Sequence, residues 1–226
     1  ILWNEGRPAE GGRNVIVRMT PDGRMSDLIP LPFNARTRVH EYGGVSHLPV
    51  DGTLYFSNFA DQRVCRVIPG SEPRPITPAV DLRYADGVVD RRHNRMIYVR
   101  EDHTATGREA INTLVSLDPN GDAEGGRVLV SGNNFHSSPR LSPDGSRLSS
   151  LKWNHPNMPW DRTELWVGEL TADEVLLRVA PVDPRLFSAA FDLLQREGRI
   201  DSRPELVSLG PEQACHVRLW RVHPPP

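Results

Sequence analysis

The sequence is poor in cysteine, lysine and long apolar runs, and each shortage removes a class of protein. Cys65 and Cys215 are the only two cysteines in 226 residues, too few for a disulfide framework or a Cys-rich metal site. That usage favours a cytoplasmic setting. No run approaches ~18 apolar residues, so no membrane-spanning helix is expected. Lys+Arg number 27 against 29 Asp+Glu, a net charge of −2, and Lys152 is the only lysine. Neither nucleic acid nor a membrane surface is therefore expected as a partner. Gly-x-Ser-x-Gly and His-Glu-x-x-His are both missing, which removes a nucleophile elbow and a zincin helix. No catalytic residue, metal or cofactor is expected. No signal peptide is visible, and Ile1-Leu-Trp reads as the inside of a strand, so further sequence ahead of it is expected.

What the chain does have is turns. It carries 18 glycines and 21 prolines with only 7% aromatic residues, a balance that suits many short strands better than a helical bundle. Three segments align: Glu41–Phe56, Arg83–Val99 and Phe135–Leu151. Each reads as a strand, a turn on Asp-Gly or Arg-His-Asn, and a second strand. They recur after roughly 40 to 50 residues, the period of a four-stranded propeller blade.

The expected architecture is all-β: a partial β-propeller of about four four-stranded antiparallel blades. The blades fall at about 1–33, 42–78, 84–131 and 135–180, the first one entered at its second strand. The expected strands are Tyr42–Leu48, Thr53–Asn58, Arg63–Ile68 and Arg74–Thr77 in the second blade. The third has Gly87–Asp90, Arg95–Arg100, Asn112–Leu117 and Arg127–Ser131. Asp27–Phe33 is read as an outer strand, where proline is tolerated. After Pro181 the pattern fails. Residues 181–226 form an atypical tail with a helix at about 184–196, where Leu186, Ala190, Leu193 and Leu194 share a face and Asp183 precedes Pro184 as a cap. Two explanations of the tail stand open. The segment near Val217–Val222 could supply the missing first strand of blade one, or the tail is not the native continuation of the propeller.

Several strings carry a family resemblance. They are Arg7-Pro-Ala-Glu-Gly-Gly-Arg13, Pro32-Phe-Asn-Ala-Arg-Thr-Arg-Val-His-Glu-Tyr-Gly-Gly44 and Leu54-Tyr-Phe-Ser-Asn-Phe-Ala-Asp-Gln-Arg63. Val99-Arg-Glu-Asp-His103 and Trp153-Asn-His-Pro-Asn-Met-Pro-Trp-Asp-Arg-Thr-Glu-Leu-Trp166 complete the set. Over residues 1–180 the chain resembles the N-terminal propeller of the prolyl oligopeptidase family of serine peptidases, nearest its acylaminoacyl-peptidase and dipeptidyl-peptidase-like branch. The resemblance implies a propeller that gates short peptide substrates and caps an α/β-hydrolase domain carrying Ser, Asp and His. Its partners would be that hydrolase domain and short peptides. The hydrolase domain is absent from this sequence, so the chain alone is expected to be inactive. A stand-alone propeller binding module and a non-functional truncated product are the competing readings.

Candidate contact residues follow from position. Arg38, His40, Glu41 and Tyr42 lead into an inner strand, and inner strands line a propeller's channel. They would touch substrate or the hydrolase domain, or simply satisfy blade-to-blade hydrogen bonds. Arg100 and Glu101 end a second strand with alternating charge, which puts Arg100 with Asp102 on one face and Glu101 with His103 on the other, to make a contact or simply a structural ion-pair network. His155 and Trp160 lie in a long inter-strand loop, the kind of rim that meets a partner domain or packs on its own blade.

Overall fold

In the computed structural model the described residues are 1–171 in full, together with the backbone of strands Val175–Pro181, Glu205–Leu209 and Cys215–Leu219. Two units divide at Val179 and Ala180. In the first, four antiparallel sheets follow one another along the chain. The first sheet is three-stranded: β1 (Leu2–Arg7), β2 (Arg13–Met19) and β3 (Met25–Asp27). The second holds β4 (His47–Val50), β5 (Thr53–Ser57), β6 (Val64–Val67) and β7 (Arg74–Pro75). The third holds β8 (Leu82–Asp90), β9 (Arg95–Asp102), β10 (Ile111–Leu117) and β11 (Arg127–Val130). The fourth holds β12 (Phe135–Leu141), β13 (Arg147–Trp153), β14 (Glu164–Leu170) and β15 (Val175–Pro181). Strand order within each sheet follows the chain, which is the connectivity of propeller blades. The all-β partial propeller read from the sequence is what the structure contains.

The core lies between consecutive sheets. Val15, Ile16 and Val17 of β2 meet Leu54, Phe56 and Cys65 of the second sheet. Tyr55 and Val64 meet Tyr84, Met96, Tyr98 and Val115 of the third. Ala85, Ile97, Val99 and Leu114 meet Leu148 and Leu170 of the fourth. This layering explains the apolar run Met96-Ile-Tyr-Val99. A strand with a sheet on each face cannot alternate apolar and polar residues, because both sets of side chains are covered. Met96 and Tyr98 face the second sheet while Ile97 and Val99 face the fourth.

The inner strands depart from the sequence reading. β8 starts at Leu82 and carries a bulge between Ala85 and Val88, with Asp86 at φ 56°. β12 carries a matching bulge between Ser137 and Arg140, with Ser138 at φ 51°. Asp86 closes the gap between three sheets: its carboxylate accepts the Val45 N–H at 2.8 Å and the Ser138 N–H at 2.9 Å. β4 is shorter than the expected Tyr42–Leu48, because residues 38–43 fold into a turn instead. The expected outer strand Asp27–Phe33 is likewise replaced: pairing ends at Asp27, and Phe33 N–H donates to Pro30 O at 3.0 Å in a turn that buries Ile29.

In the second unit, β16 (Glu205–Leu209) pairs antiparallel with β17 (Cys215–Leu219) as a two-stranded sheet. The segment considered for closing blade one lies in β17 as far as Leu219 and beyond that outside the described residues; among the described residues the first sheet has three strands. The helix expected at 184–196 lies outside the described residues.

Candidate functional site

The turn ahead of β4 places the first candidates. His40 and Glu41 stand at φ 55° and 63°, two successive left-handed residues without a glycine, which costs on the order of 1–3 kcal/mol each. Three hydrogen bonds hold the conformation. Glu41 N–H donates to Arg38 O at 2.8 Å, Gly43 N–H to Val39 O at 2.8 Å, and His40 N–H to Glu101 Oε1 at 2.8 Å. The last bond crosses from one sheet to the next, because Glu101 is near the end of β9. Gly44 follows the turn, where a Cβ would stand 2.8 Å from Asp86 Oδ1. The second glycine of the pair is thus there to admit the Asp86 bridge.

Glu101 is 5% exposed yet fully engaged. Its Oε2 lies 3.2 Å from His103 Nε2 and 3.9 Å from Arg83 Nη1. Arg83 reaches on to Glu41 Oε1 at 2.6 Å, which holds the Glu41 carboxyl below its usual range. His40 Nε2 lies 3.0 Å from Asn112 Nδ2 at the start of β10, and Asn112 Oδ1 accepts the His136 N–H at 2.8 Å. The His40 ring is also packed edge-on against Phe135 and Trp153, with centroids 5.7 and 5.2 Å away. Burial pushes the imidazole below its ordinary value, an effect that Glu101 and Asp86 oppose.

These groups line one cleft of about 310 Å³. His40, Glu41, Glu101, His103 and Asn112 form one wall and floor, and Phe135, Asn134, His155 and Glu109 the other. His155 is held there by its backbone N–H on Asn134 Oδ1 at 3.0 Å and by its ring against Phe135 at 4.9 Å. Four of the eight sequence candidates, His40, Glu41, Glu101 and His155, therefore meet. Tyr42 is exposed beside the His40 ring at 5.7 Å, outside the cleft lining. Arg38 is exposed and stacks on Phe59 at 4.6 Å, with its own carbonyl held by Arg83 at 3.2 Å. Arg100 points the other way: it is buried and donates to the Gly125 and Gly126 carbonyls at 3.2 and 3.1 Å, inside its own sheet. Trp160 is 74% exposed on its loop and does not line the cleft.

Sequence reasoning missed His103, Asn112, Asn134 and Phe135 as wall residues. Asn134 and Phe135 sit at the entry to an inner strand and His103 at the exit of a second strand, positions a blade repeat can flag, whereas Asn112, at the start of the third strand β10, carries no such signal. Chemically the cleft offers carboxylate acceptors, imidazoles and an aromatic wall. Among the described residues no cluster of His, Cys, Asp and Glu has the geometry to hold a metal. Cys65 is no nucleophile either, since burial pushes its thiol up to about 12.

No family model matches the sequence, and no curated protein matches it. Solved structures do. A puromycin-hydrolysing peptidase of Mycobacterium tuberculosis aligns over 79% of this chain with 37% identity and a TM-score of 0.73. A puromycin hydrolase aligns over 80% with 35% identity and a TM-score of 0.72. This chain is similar to the propeller portion of these peptidases, which belong to the prolyl oligopeptidase family. It spans about 30% of the length of each of those peptidases, so the alignment falls within their propeller portion. A nidogen–laminin complex also aligns over 80% of the chain, but at 14% identity and a TM-score of 0.52 it supports the fold alone. The cleft lies at the end of the sheets where the inner strands begin.

Proposed function

We propose that this chain is the substrate-gating propeller portion of a serine peptidase that acts on short peptides, with catalysis supplied by an α/β-hydrolase domain not contained in these 226 residues. The observation that carries this is the 37% identity to a puromycin-hydrolysing peptidase over 79% of the chain. The sequence itself contains no nucleophile elbow, which agrees with a division of labour in which this part binds and screens.

In this reading the cleft of His40, Glu41, Glu101 and His155 faces the substrate path. Carboxylates there suit the amino end of a short peptide, and Phe135 offers a flat apolar wall to an aminoacyl side chain. Arg38, Tyr42 and Trp160, all exposed, belong to the contact with the hydrolase domain. Arg100 is assigned a structural role. The acylaminoacyl- or dipeptidyl-peptidase-like branch and a cytoplasmic setting are part of the same proposal. The chain alone is expected to give no turnover of aminoacyl or dipeptidyl chromogenic substrates. Turnover blocked by a serine-directed phosphonate would overturn the proposal.

A further inference from the structure

A second cleft, of about 280 Å³, opens beside the fourth sheet and is lined by Asn133, Lys152, Asn154, Asn157, Arg162 and Glu164. Its centre is the chain's only lysine. The Lys152 side chain is 8% exposed, and its Nζ sits over the Trp166 ring. Glu164 Oε2 lies 3.6 Å from that nitrogen, outside hydrogen-bond range, and is already taken by Trp166 Nε1 at 2.8 Å. Glu164 is thus an ion-pair partner for Lys152, but no acceptor among the described residues lies at hydrogen-bonding distance of the ammonium. A nearly buried cation without close hydrogen-bond acceptors gains from a further anionic partner.

The other donors converge on the same space. No side-chain hydrogen bond engages the Arg162 guanidinium among the described residues. Asn154 uses its Oδ1 to accept the Asn134 N–H at 2.8 Å, which leaves its amide nitrogen free to donate. Lys152 and Arg162 against Glu164 leave one positive charge in excess, on a protein whose net charge is −2. A planar monoanion matches that balance. A guanidinium fork takes the two oxygens of a carboxylate, and an ammonium beside it supplies a point charge.

We propose that this second cleft binds a carboxylate through Lys152 and Arg162, with asparagine amides completing the donor set. The carboxylate comes either from the C-terminus of a short peptide or from an acidic side chain of a domain that covers this face. The inference does not depend on the peptidase reading, because it rests on the donors and the charge balance of this cleft alone.

Because Lys152 is unique, protein grown with 13C-lysine shows one lysine Cε–Hε signal, a direct reporter on the cleft. Acetyl-Gly-Gly, its C-terminal amide, sodium acetate and inorganic phosphate are titrated separately against the 226-residue chain. The expected result is a saturable shift with acetyl-Gly-Gly and none with the amide. Burial lowers the Lys152 ammonium from its ordinary value, so its titration should also move upward when a carboxylate is bound. Arg162→Gln, at an exposed loop position, should weaken binding about tenfold while the rest of the spectrum is unchanged. A shift with acetate as well assigns the site to carboxylates of either source, and a shift with the peptide alone assigns it to a chain terminus. No saturable shift with any carboxylate, an equal shift with the amide, saturation by phosphate alone, or indifference to Arg162→Gln would each overturn the proposal.

Discussion

His136 should make this fold acid-sensitive by a predictable amount. The residue is 1% exposed on β12, and neither ring nitrogen has a hydrogen-bond partner among the described residues. Burial, with Lys152 and His40 nearby, pushes the imidazole down to about 4. The sign follows from proton linkage. In the unfolded chain the ring takes a proton below about 6.5, whereas the folded ring resists until about 4, so unfolding binds a proton throughout that interval. Stability is therefore fully present above pH 6.5 and is lost as pH falls toward 4. Two pH steps, from 6.5 to 4.5, amount to about 2–3 kcal/mol from this group alone at 1.36 kcal/mol per unit. Other groups titrate too, so the measurement is a difference. Urea unfolding of the parent and of His136→Leu is compared at pH 7.0 and pH 4.5. The leucine variant removes an unpaired polar ring rather than a bond, so its stability at pH 7.0 should be close to the parent's. Its loss between the two pH values should be smaller by about 2–3 kcal/mol. Equal pH-dependent losses in the two proteins would refute the reasoning.

Other consequences are simpler. Asp86→Ala removes two charge-assisted bonds between sheets and should cost about 2–3 kcal/mol, with hydrogen exchange at the Val45 and Ser138 amides accelerated first; unchanged protection at both amides would count against the bridge. Gly87→Ala would drive a Cβ into the buried Tyr98 ring and should lower stability by about 1–3 kcal/mol, read as a lower urea midpoint. Trp160→Ser, at a 74% exposed position, should leave the stability of this chain within about 0.5 kcal/mol, and a larger loss would show that the ring packs on its own blade.

The blade pattern was legible because it rests on local chemistry. Asp-Gly and Arg-His-Asn turns fix hairpins, and the run Met96–Val99 marks a strand covered on both faces. The bulges at Asp86 and Ser138 were not legible, since a positive φ is uncommon for any residue but glycine and nothing local singles out these two positions. The same holds for His40 and Glu41, whose turn exists because Glu101, some sixty residues later, receives the His40 amide. Four cleft residues were named from the sequence: Glu101 through alternation along β9, His40 and Glu41 through their place ahead of an inner strand, and His155 through its long inter-strand loop. Asn112 and Phe135 escaped because their place in the cleft depends on how three sheets stack. Arg100 resolves to its structural reading, donating to the Gly125 and Gly126 carbonyls in the loop ahead of β11.

The central claim is that these blades form the substrate-facing part of a peptidase propeller. A chimera tests it most directly, with residues 1–171 replacing the aligned segment of the Mycobacterium tuberculosis puromycin-hydrolysing peptidase. The prediction is a folded chimera that hydrolyses puromycin, with KM raised by His40→Ala and by Glu101→Gln while the unfolding midpoint of Glu101→Gln stays close to that of the unsubstituted chimera. A well-folded chimera without hydrolysis, or one whose KM ignores both substitutions, would contradict it.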